Sequence, residues 1–327
     1  MGKAFDGVRV IDFTQVFSGP YATSLLTLLG ADVIKVEQPG KGDISRGLLD
    51  DGPLAAAGMS PVFQGMNAGK RAITLNLKHP DAAEVVERLV RGADVVIENL
   101  RPGVMVRLGV GYEAMRAIRP DLVYCSISGY GQSGPKSGAT AYDGAVQAAS
   151  GMMSVTGEAE TGPMRVGFAV VDLGTALMAG FAVASALYRR SQTGEGQYLD
   201  VSMLDTSLAL MSPLISNLLM AGNEPAQLGN LSLTRMPTGN VFPTASGDLQ
   251  ITALTESQVQ ALCECVGAGW LMTDARFTTA EQRLVHSDAM RAALIEALAE
   301  ATAAEWEERL SAVGVPTARV LTIAQVV

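Results

Sequence analysis

The first part of the chain alternates short apolar runs with amphipathic segments. Residues 8–13 and 32–37 have the pattern of β-strands, and the segment between them, about 21–29, has helical spacing. Pro20 suits the first turn of that helix and Gly30 its end. The same alternation repeats over residues 71–131. Because strands that alternate with helices form parallel sheets covered on both faces, the pattern predicts a doubly wound, Rossmann-like α/β domain.

After Tyr142 the helical patterns become longer and rich in small residues. A stretch with Gly, Asn and Pro from Ala221 to about Gly239 is typical of a connection between domains. Beyond it, "VFPTASGDLQITAL" predicts a hairpin, followed by helices and the short strand "TARVLTI". We therefore predict a large, Rossmann-like domain at residues 1–221 and a smaller α+β domain at residues 222–327.

The charge balance limits the partners of this protein. Twenty-four basic and 33 acidic side chains give a formal net charge of −9, which argues against non-specific binding to nucleic acid or to an anionic membrane. A polyanionic ligand would need a local basic cluster. Eight basic residues near predicted strand ends and loops are candidates for such a rim, each of them equally explained as a solvated surface charge: Lys41, Arg46, Lys70, Arg71, Lys78, Arg101, Arg107 and Lys136.

Cysteine and histidine usage excludes other classes. The three cysteines include a CxC pair that matches neither a zinc site nor a disulfide framework, and the start "MGKAFDGVRVIDF" lacks an export signal, so we expect a reducing cytoplasm. With two histidines, a multi-histidine metal centre is excluded and no metal is expected.

The runs 168–188 and 203–221 approach the length of a membrane span, but Asp172 and Asp205 favour buried core helices.

Asp172 interrupts the apolar run "FAVVDLGTALMAG", where an ionised carboxylate is costly to bury without partners. It is equally interpreted as the N-cap of a helix that begins at Leu173 or as a poised nucleophile or general base. Gly174 would leave room there for a substrate.

The loop Thr14–Pro20, after the first strand, is a candidate anion site at a helix N-terminus, although the GxGxxG and Walker A motifs are absent.

Six segments in order carry a resemblance to a known family. They are "VRVIDFTQVFSGP", "NAGKRAITLNLK", "ADVVIENLRPGVMVRLGVGYE", "SISGYGQSGP", "AYDGAVQAASG" and "DLGTALMAGFAVASALYRRSQTGEGQYLDVSMLD". Together they resemble the class III CoA-transferases, the family of formyl-CoA transferase and carnitine CoA-transferase. The resemblance implies an enzyme that moves coenzyme A from an acyl-CoA to a free carboxylic acid. Asp172 would be the nucleophile, acting through a mixed anhydride and an aspartyl-CoA thioester, with backbone N–H groups near Gly174 stabilising the oxyanions.

The resemblance also implies ligand contacts and an assembly. Members form interlocked homodimers, hold no permanent cofactor and bind CoA or acyl-CoA as substrate. Gln38 stands where the family frequently has arginine and Thr140 where some members have lysine, so the CoA phosphates would rely on Arg107 and Lys78. The implied CoA contacts are Val16, Phe17, Ser18, Gln38, Leu75, Lys78, Asn99, Leu100 and Arg107, and the implied substrate contacts are Tyr142, Gln147 and Gly174.

Two alternatives and one departure accompany this interpretation. α-Methylacyl-CoA racemases share the fold but place a histidine where "AYDGA" has Tyr142, and a tyrosine is a poor proton shuttle at neutral pH. A module that only binds CoA would keep its affinity without turnover. Family members usually continue past "GVPTARVLTIAQVV" with a segment that returns to the large domain, and that segment is expected to be absent here. The donor and acceptor acids are not specified by the sequence.

Overall fold

The computed structural model describes residues 2–49 and 52–327, which form two compact units. The first unit contains the chain up to residue 153 and residues 165–225, and the second contains residues 154–164 and 226–327. The sequence-based boundary at 221/222 lies close to the crossing at 225/226. The short segment 154–164 belongs with the second unit, although the sequence analysis included it in the large domain.

The first unit is built on a six-stranded parallel sheet with the strand order β3-β2-β1-β4-β5-β6. This confirms the predicted doubly wound, Rossmann-like fold, whose ligand crevice lies where the strand order reverses, between β1 and β4. The strands are β1 Arg9–Asp12, β2 Asp32–Glu37, β3 Arg71–Thr74, β4 Val95–Glu98, β5 Val123–Ser128 and β6 Gln197–Ser202.

Helices cover both faces of this sheet. Helix α1 (Ser18–Leu28) begins nearer to β1 than the predicted start at residue 21. The predicted helix over residues 203–221 is two helices, α10 and α11, which are bent by 72° at Met211. The remaining helices are α2 Pro53–Ala56, α3 Pro61–Asn67, α4 Ala82–Arg91, α5 Val104–Arg107, α6 Tyr112–Ile118, α7 Asp143–Ala149, α8 Met152–Val155, α9 Val170–Thr193, α10 Met203–Leu210 and α11 Ser212–Ala221.

Helix α9 is the apolar helix that carries Asp172 in its first turn. By length and composition α9 could cross a membrane, and so could α10 and α11 taken as one bent span. In the first unit, however, Ala176, Ala179 and Val183 have no exposed surface and pack in one cluster with Val95 and Val123 of the sheet. This packing is that of a core helix, as the sequence predicts.

The second unit joins an antiparallel sheet to helices, which confirms the predicted α+β class. The hairpin β7 (Gly239–Pro243) and β8 (Asp248–Thr252) is the predicted one, and β9 (Thr317–Arg319) pairs with β8. Among the predicted helices that follow, residues 280–298 form two helices that are separated at His286. The helices of this part are α12 Glu256–Cys265, α13 Ala280–Val285, α14 Ser287–Leu298, α15 Ala303–Ala312 and α16 Ile323–Val326.

Candidate active site

A cavity of about 260 Å³ opens in the first unit at the carboxyl ends of β1, β4 and β5. This is the crevice where open parallel sheets bind ligands. Its walls come from the loop after β1, the loop after β4, the end of β5, residues 137–142 and the first turn of α9. Six of the sequence-predicted site residues line it together: Val16, Ser18, Asn99, Leu100, Tyr142 and Asp172.

Asp172 reaches this cavity from the first turn of α9, which begins at Val170 with Ala169 as N-cap. The interpretation of Asp172 as N-cap of a helix starting at Leu173 is therefore wrong. Its own backbone N–H is one of the free donors of the first turn. The side chain is consequently not used for capping and is available to a ligand.

The cap comes from another carboxylate, Asp143, in the first turn of α7. Its Oδ2 atom accepts hydrogen bonds from the backbone N–H groups of Val171 at 2.9 Å and of Asp172 at 3.1 Å. Asp143 is itself 9% exposed. A buried carboxylate that accepts two N–H groups at a helix N-terminus is stabilised by both the hydrogen bonds and the helix dipole.

Gln147 lies one turn behind Asp143 and holds it in place. Its Nε2 atom donates to Asp143 Oδ1 at 2.6 Å, and its Oε1 atom accepts from the backbone N–H of Val166 at 2.8 Å. Gln147 has no exposed surface and is not among the residues that line the cavity. The structure thus gives Gln147 a positioning role rather than the substrate contact expected from the sequence.

Sequence reasoning missed Asp143. The available signals were its place in "AYDGAVQAASG" and its spacing of four residues from Gln147, which puts the two side chains on one helix face. The actual link, from α7 to α9, spans 28 and 29 residues. No local pattern encodes such a separation.

The surroundings of Asp172 shift its acidity. Burial and then the negative charge of Asp143 raise the pKa of Asp172 to about 6, whereas hydrogen bonds from the Ser18 hydroxyl and Ser18 N–H lower it. The group is therefore ionised at neutral pH but less well solvated than a surface aspartate. A desolvated carboxylate that keeps its charge is suited to nucleophilic attack.

Ser18 is the first residue of α1 and directly follows the loop after β1, whose backbone is set by buried charges. Asp12 accepts hydrogen bonds from the N–H and hydroxyl of Thr14, and its other oxygen pairs with Lys70 at 3.0 Å. Burial alone would raise the pKa of Asp12, but Lys70, Lys35 and the hydroxyls of Thr14 and Thr23 lower it to about 2. Asp12 thus stays ionised and anchors the start of the loop.

A second buried pair holds the middle of the same loop. Lys35 Nζ contacts Asp43 Oδ2 at 2.9 Å and donates to the carbonyl of Thr14 at 2.8 Å. Asp43 Oδ1 in turn accepts from the N–H of Val16 at 3.1 Å. Val16 has a φ of 71°, which is rare for a β-branched residue. These contacts hold Val16 in that strained conformation.

The loop after β4 is tied to the loop after β1. Gln15 donates its N–H to Asn99 Oδ1 at 2.8 Å, and Asn99 Nδ2 returns a hydrogen bond to the carbonyl of Gln15 at 2.8 Å. The Asn99 side chain therefore links the two loops that border the crevice. Asn99 also lines the cavity, so a ligand bound there would contact it.

Several predicted site residues lie elsewhere. Gly174 faces α10, since an added Cβ would lie 2.9 Å from Leu210 Cδ1, so its lack of a side chain serves helix packing and not a substrate. Phe17 is the N-cap residue of α1, and Leu75 packs against the core. Gln38, Lys78 and Arg107 are exposed. None of these six residues lines the cavity around Asp172.

The predicted basic rim is only partly available. Lys70 is nearly fully buried against Asp12, Arg46 pairs with Glu37 and Arg71 pairs with Asp32. These three charges are neutralised within the unit. Of the eight candidates Arg101 lines the cavity, and Lys136 lies 5.6 Å from the centroid of the Tyr130 ring. Within residues 2–49 and 52–327, no three His, Cys, Asp or Glu side chains are placed to hold a metal ion.

Comparison with known proteins shows which family this chain belongs to. The model of CoA-transferase family III matches residues 5–327. The chain is 41% identical over 322 residues to acetyl-CoA:oxalate CoA-transferase of Acetobacter aceti, covering 98% of this chain and 82% of that protein. It is 39% identical over 292 residues to succinate–glutarate CoA-transferase of Agrobacterium fabrum, covering 87% of this chain and 72% of that protein.

Solved structures give the same result. A CAIB/BAIF family protein from Brucella suis has a TM-score of 0.89 and 33% identity, covering all of this chain and 86% of that one. A protein from M. tuberculosis has a TM-score of 0.87 and 34% identity, covering 99% of this chain and 86% of that one. With a family model that spans nearly its whole length and with relatives of this similarity, the chain belongs to CoA-transferase family III, and it is an enzyme of CoA transfer.

Proposed function

We propose that this enzyme transfers CoA between carboxylic acids with Asp172 as the covalent nucleophile. An Asp172 oxygen forms a bond to the acyl carbon of the donor thioester, the C–S bond breaks, and the CoA thiolate leaves with the electron pair. The product is a mixed anhydride on Asp172. The thiolate then attacks the aspartyl carbonyl carbon, which releases the donor acid as a carboxylate and leaves an aspartyl-CoA thioester.

The second half of the reaction reverses these steps with a different acid. The acceptor carboxylate attacks the aspartyl thioester and expels the thiolate, which attacks the acyl carbon of the new anhydride and restores the Asp172 carboxylate. Every step exchanges one anionic nucleophile for one anionic leaving group. The reaction therefore needs no proton donor or acceptor, in contrast to a racemase.

The observation that carries this proposal is the state of Asp172. It is an ionisable carboxylate on the cavity wall whose neighbours raise its pKa to about 6, and the helix cap that it would otherwise provide is supplied by Asp143. A carboxylate is a weak nucleophile towards a thioester, so binding energy from CoA must position it. The crevice at the β1/β4 switch point offers such a binding surface.

We further propose short dicarboxylic acids as substrates. The relatives carry names that specify oxalate, succinate and glutarate, and Arg101 places a cationic side chain on the same cavity wall as Asp172. An arginine binds a carboxylate through two parallel hydrogen bonds. Arg101 would accordingly hold the distal carboxylate of the acid or a phosphate of CoA.

We also propose that the chain acts as a homodimer. Helix α11 has the apolar sequence "SPLISNLLMA", yet none of its residues is buried. Leu219 and Met220 are 79% and 87% exposed. Apolar helix faces of this kind are typical of surfaces covered by another chain.

The proposal is tested by trapping the covalent intermediate. The enzyme is incubated with acetyl-, formyl- or succinyl-CoA, treated with borohydride or hydroxylamine, and digested for peptide mass analysis. We expect Asp172 to be recovered as homoserine or as the hydroxamate. Asp172→Asn must abolish trapping and turnover, whereas Asp205→Asn, in the first turn of α10, must leave both near the parent level.

Two results would contradict the transferase assignment. One is an unmodified Asp172 together with α-proton exchange of the acyl-CoA in heavy water, which would indicate racemase chemistry. The other is CoA binding without turnover for any donor and acceptor pair, with Asp172→Asn binding CoA as the parent does. That result would indicate a CoA-binding module.

A further inference from the structure

Attack on a thioester places negative charge on the acyl oxygen, which requires hydrogen-bond donors. The N–H groups expected to serve near Gly174 are already engaged. Val171 and Asp172 donate to Asp143, and Leu173 donates to the carbonyl of Ala169. The N–H and hydroxyl of Ser18 both contact the Asp172 carboxyl. A further donor is therefore needed on the cavity wall.

Ser128 is placed to supply it. It is the last residue of β5, at the carboxyl end of the parallel sheet, and it lines the same cavity as Asp172. Its side chain is buried, with 8% exposure, and its Oγ atom has no hydrogen-bond partner. Among the residues that the structure describes, Ser128 carries the one buried hydroxyl in this condition.

The hydroxyls of two neighbouring serines, Ser126 and Ser202, do form hydrogen bonds within the protein. Ser126, two residues earlier on the same strand, accepts a hydrogen bond from the Tyr198 hydroxyl at 3.1 Å. Ser202 pairs with Ser128 across β5 and β6, and its hydroxyl caps α10 by accepting from the N–H of Asp205. Since buried polar groups in native proteins are almost always satisfied, an orphan hydroxyl on a ligand cavity indicates a partner in the ligand.

Close packing restricts the backbone next to Ser128. An added Cβ on Gly129, the next residue, would lie 2.1 Å from Ala141 Cβ, so the segment that ends in Tyr142 is pressed against the end of β5. Gly129 also accepts, through its carbonyl, the N–H of Leu204. These two contacts thus fix the backbone next to Ser128.

We propose that Ser128 Oγ–H donates a hydrogen bond to the acyl oxygen when Asp172 attacks the donor thioester and, in the second half of the reaction, when the thiolate attacks the acyl carbon of the new anhydride. The inference rests on the proposed function of Asp172. The serine keeps its proton throughout, so the balance of the transfer steps is unchanged. Ser128 thereby stabilises charge that exists only during bond exchange, and its loss should affect kcat more than CoA affinity.

The test compares Ser128→Ala with the parent enzyme in three measurements: kcat and KM for a CoA donor that the parent uses, the rate of borohydride trapping at Asp172, and the melting temperature with and without CoA. We expect a loss in kcat and in trapping rate of about a hundredfold to a thousandfold, with CoA affinity within about twofold. Because the variant removes an unsatisfied buried hydroxyl, the free protein should melt at the same or a higher temperature.

Ser207→Ala is the matched control, since Ser207 is equally buried but donates to the carbonyl of Met203. We expect that variant to melt lower and to keep the parental kcat. Parental turnover and trapping in Ser128→Ala would overturn the inference about Ser128, as would a fall in kcat explained entirely by a lower melting temperature. Failure of the parent enzyme itself to be trapped would instead reject the proposed function.

Discussion

Asp143 Oδ2 accepts a hydrogen bond from the backbone N–H of Asp172 at 3.1 Å, so one buried carboxylate fixes the position of the other. The same oxygen accepts the N–H of Val171, and Gln147 holds the second oxygen. Asp143 thus sets both where Asp172 lies and, through its charge, how readily Asp172 ionises. Four testable predictions concern this arrangement and the contacts around it, and a fifth concerns assembly.

The first concerns the charge of Asp143. Asp143→Asn can still cap α9 through its amide oxygen but removes the negative charge that raises the pKa of Asp172, so the acid limb of kcat/KM should move to lower pH. Asp143→Ala should instead lower kcat and destabilise the protein by about 1–2 kcal/mol, because two N–H groups lose their partner. Measured pH–rate profiles and melting curves separate the two effects. An unchanged acid limb in Asp143→Asn would contradict the electrostatic role.

The second concerns pH and activity. Asp172 must be ionised to attack, and burial with the charge of Asp143 raises its pKa to about 6. We therefore expect kcat/KM to be constant above about pH 7 and to fall with decreasing pH, approaching about tenfold per unit below pH 6. The measurement needs an acceptor acid that stays ionised across this range. A profile that is flat down to pH 4.5 would show that Asp172 is not the nucleophile.

The third concerns pH and stability. Because the folded pKa of Asp172, about 6, exceeds its ordinary value of 3.8, the folded protein binds this proton more tightly than the unfolded chain. The contribution of Asp172 to the free energy of unfolding therefore falls as the pH rises from about 4 to 6 and is fully unfavourable above that range, by about 2–3 kcal/mol.

Replacing Asp172 by Asn removes this pH dependence. The melting temperature of Asp172→Asn should exceed that of the parent at pH 8, and the difference should shrink at pH 5. Asp205→Asn serves as the control, with a small difference that does not depend on pH. A difference that grows towards low pH would have the wrong sign for a raised pKa.

The fourth concerns the buried pair below the cavity loop. Lys70→Met leaves the fully buried Asp12 without its partner and should destabilise the protein by about 3–5 kcal/mol. Since Lys70 also donates to the carbonyl of Pro20, the loop that carries Val16 and Ser18 should be displaced and kcat reduced. Arg71→Ala is the control, because its pair with Asp32 is exposed and contributes within about 1 kcal/mol.

A double-mutant cycle checks the origin of the effect. Asp12→Asn combined with Lys70→Met removes both charges, so the double variant should be less destabilised than the sum of the two single variants. Additive losses would show that the pair is not coupled.

The fifth prediction concerns assembly. If α11 is covered by a second chain, Leu219→Asp with Met220→Asp should convert a dimer to a monomer in sedimentation experiments. Ala292→Asp, at an exposed position of α14 in the second unit, is the control and should leave the mass unchanged. A parent protein that sediments as a monomer at micromolar concentration would contradict the proposed homodimer.

The sequence by itself determined the layout of the first unit. Its buried parallel strands carry short runs of apolar residues, such as Val33, Ile34 and Val36 in β2, and its connecting helices carry their own start and stop residues, such as Pro20 and Gly30. These are local signals, because each strand or helix must present the right side chains to its neighbours whatever those neighbours are. The isolated carboxylate in an apolar run likewise marked Asp172 without knowledge of the fold.

Only the tertiary structure decided what Asp172 is surrounded by. The cap from Asp143, the hydrogen bonds of Ser18 and the orphan hydroxyl of Ser128 join segments that lie far apart in the chain. The same is true of Lys70, whose contact with Asp12 spans 58 residues and withdraws a predicted rim charge into the core. Whether a polar side chain serves a ligand or a neighbour depends on which partners the folded chain brings within hydrogen-bond distance, and local sequence does not contain that information.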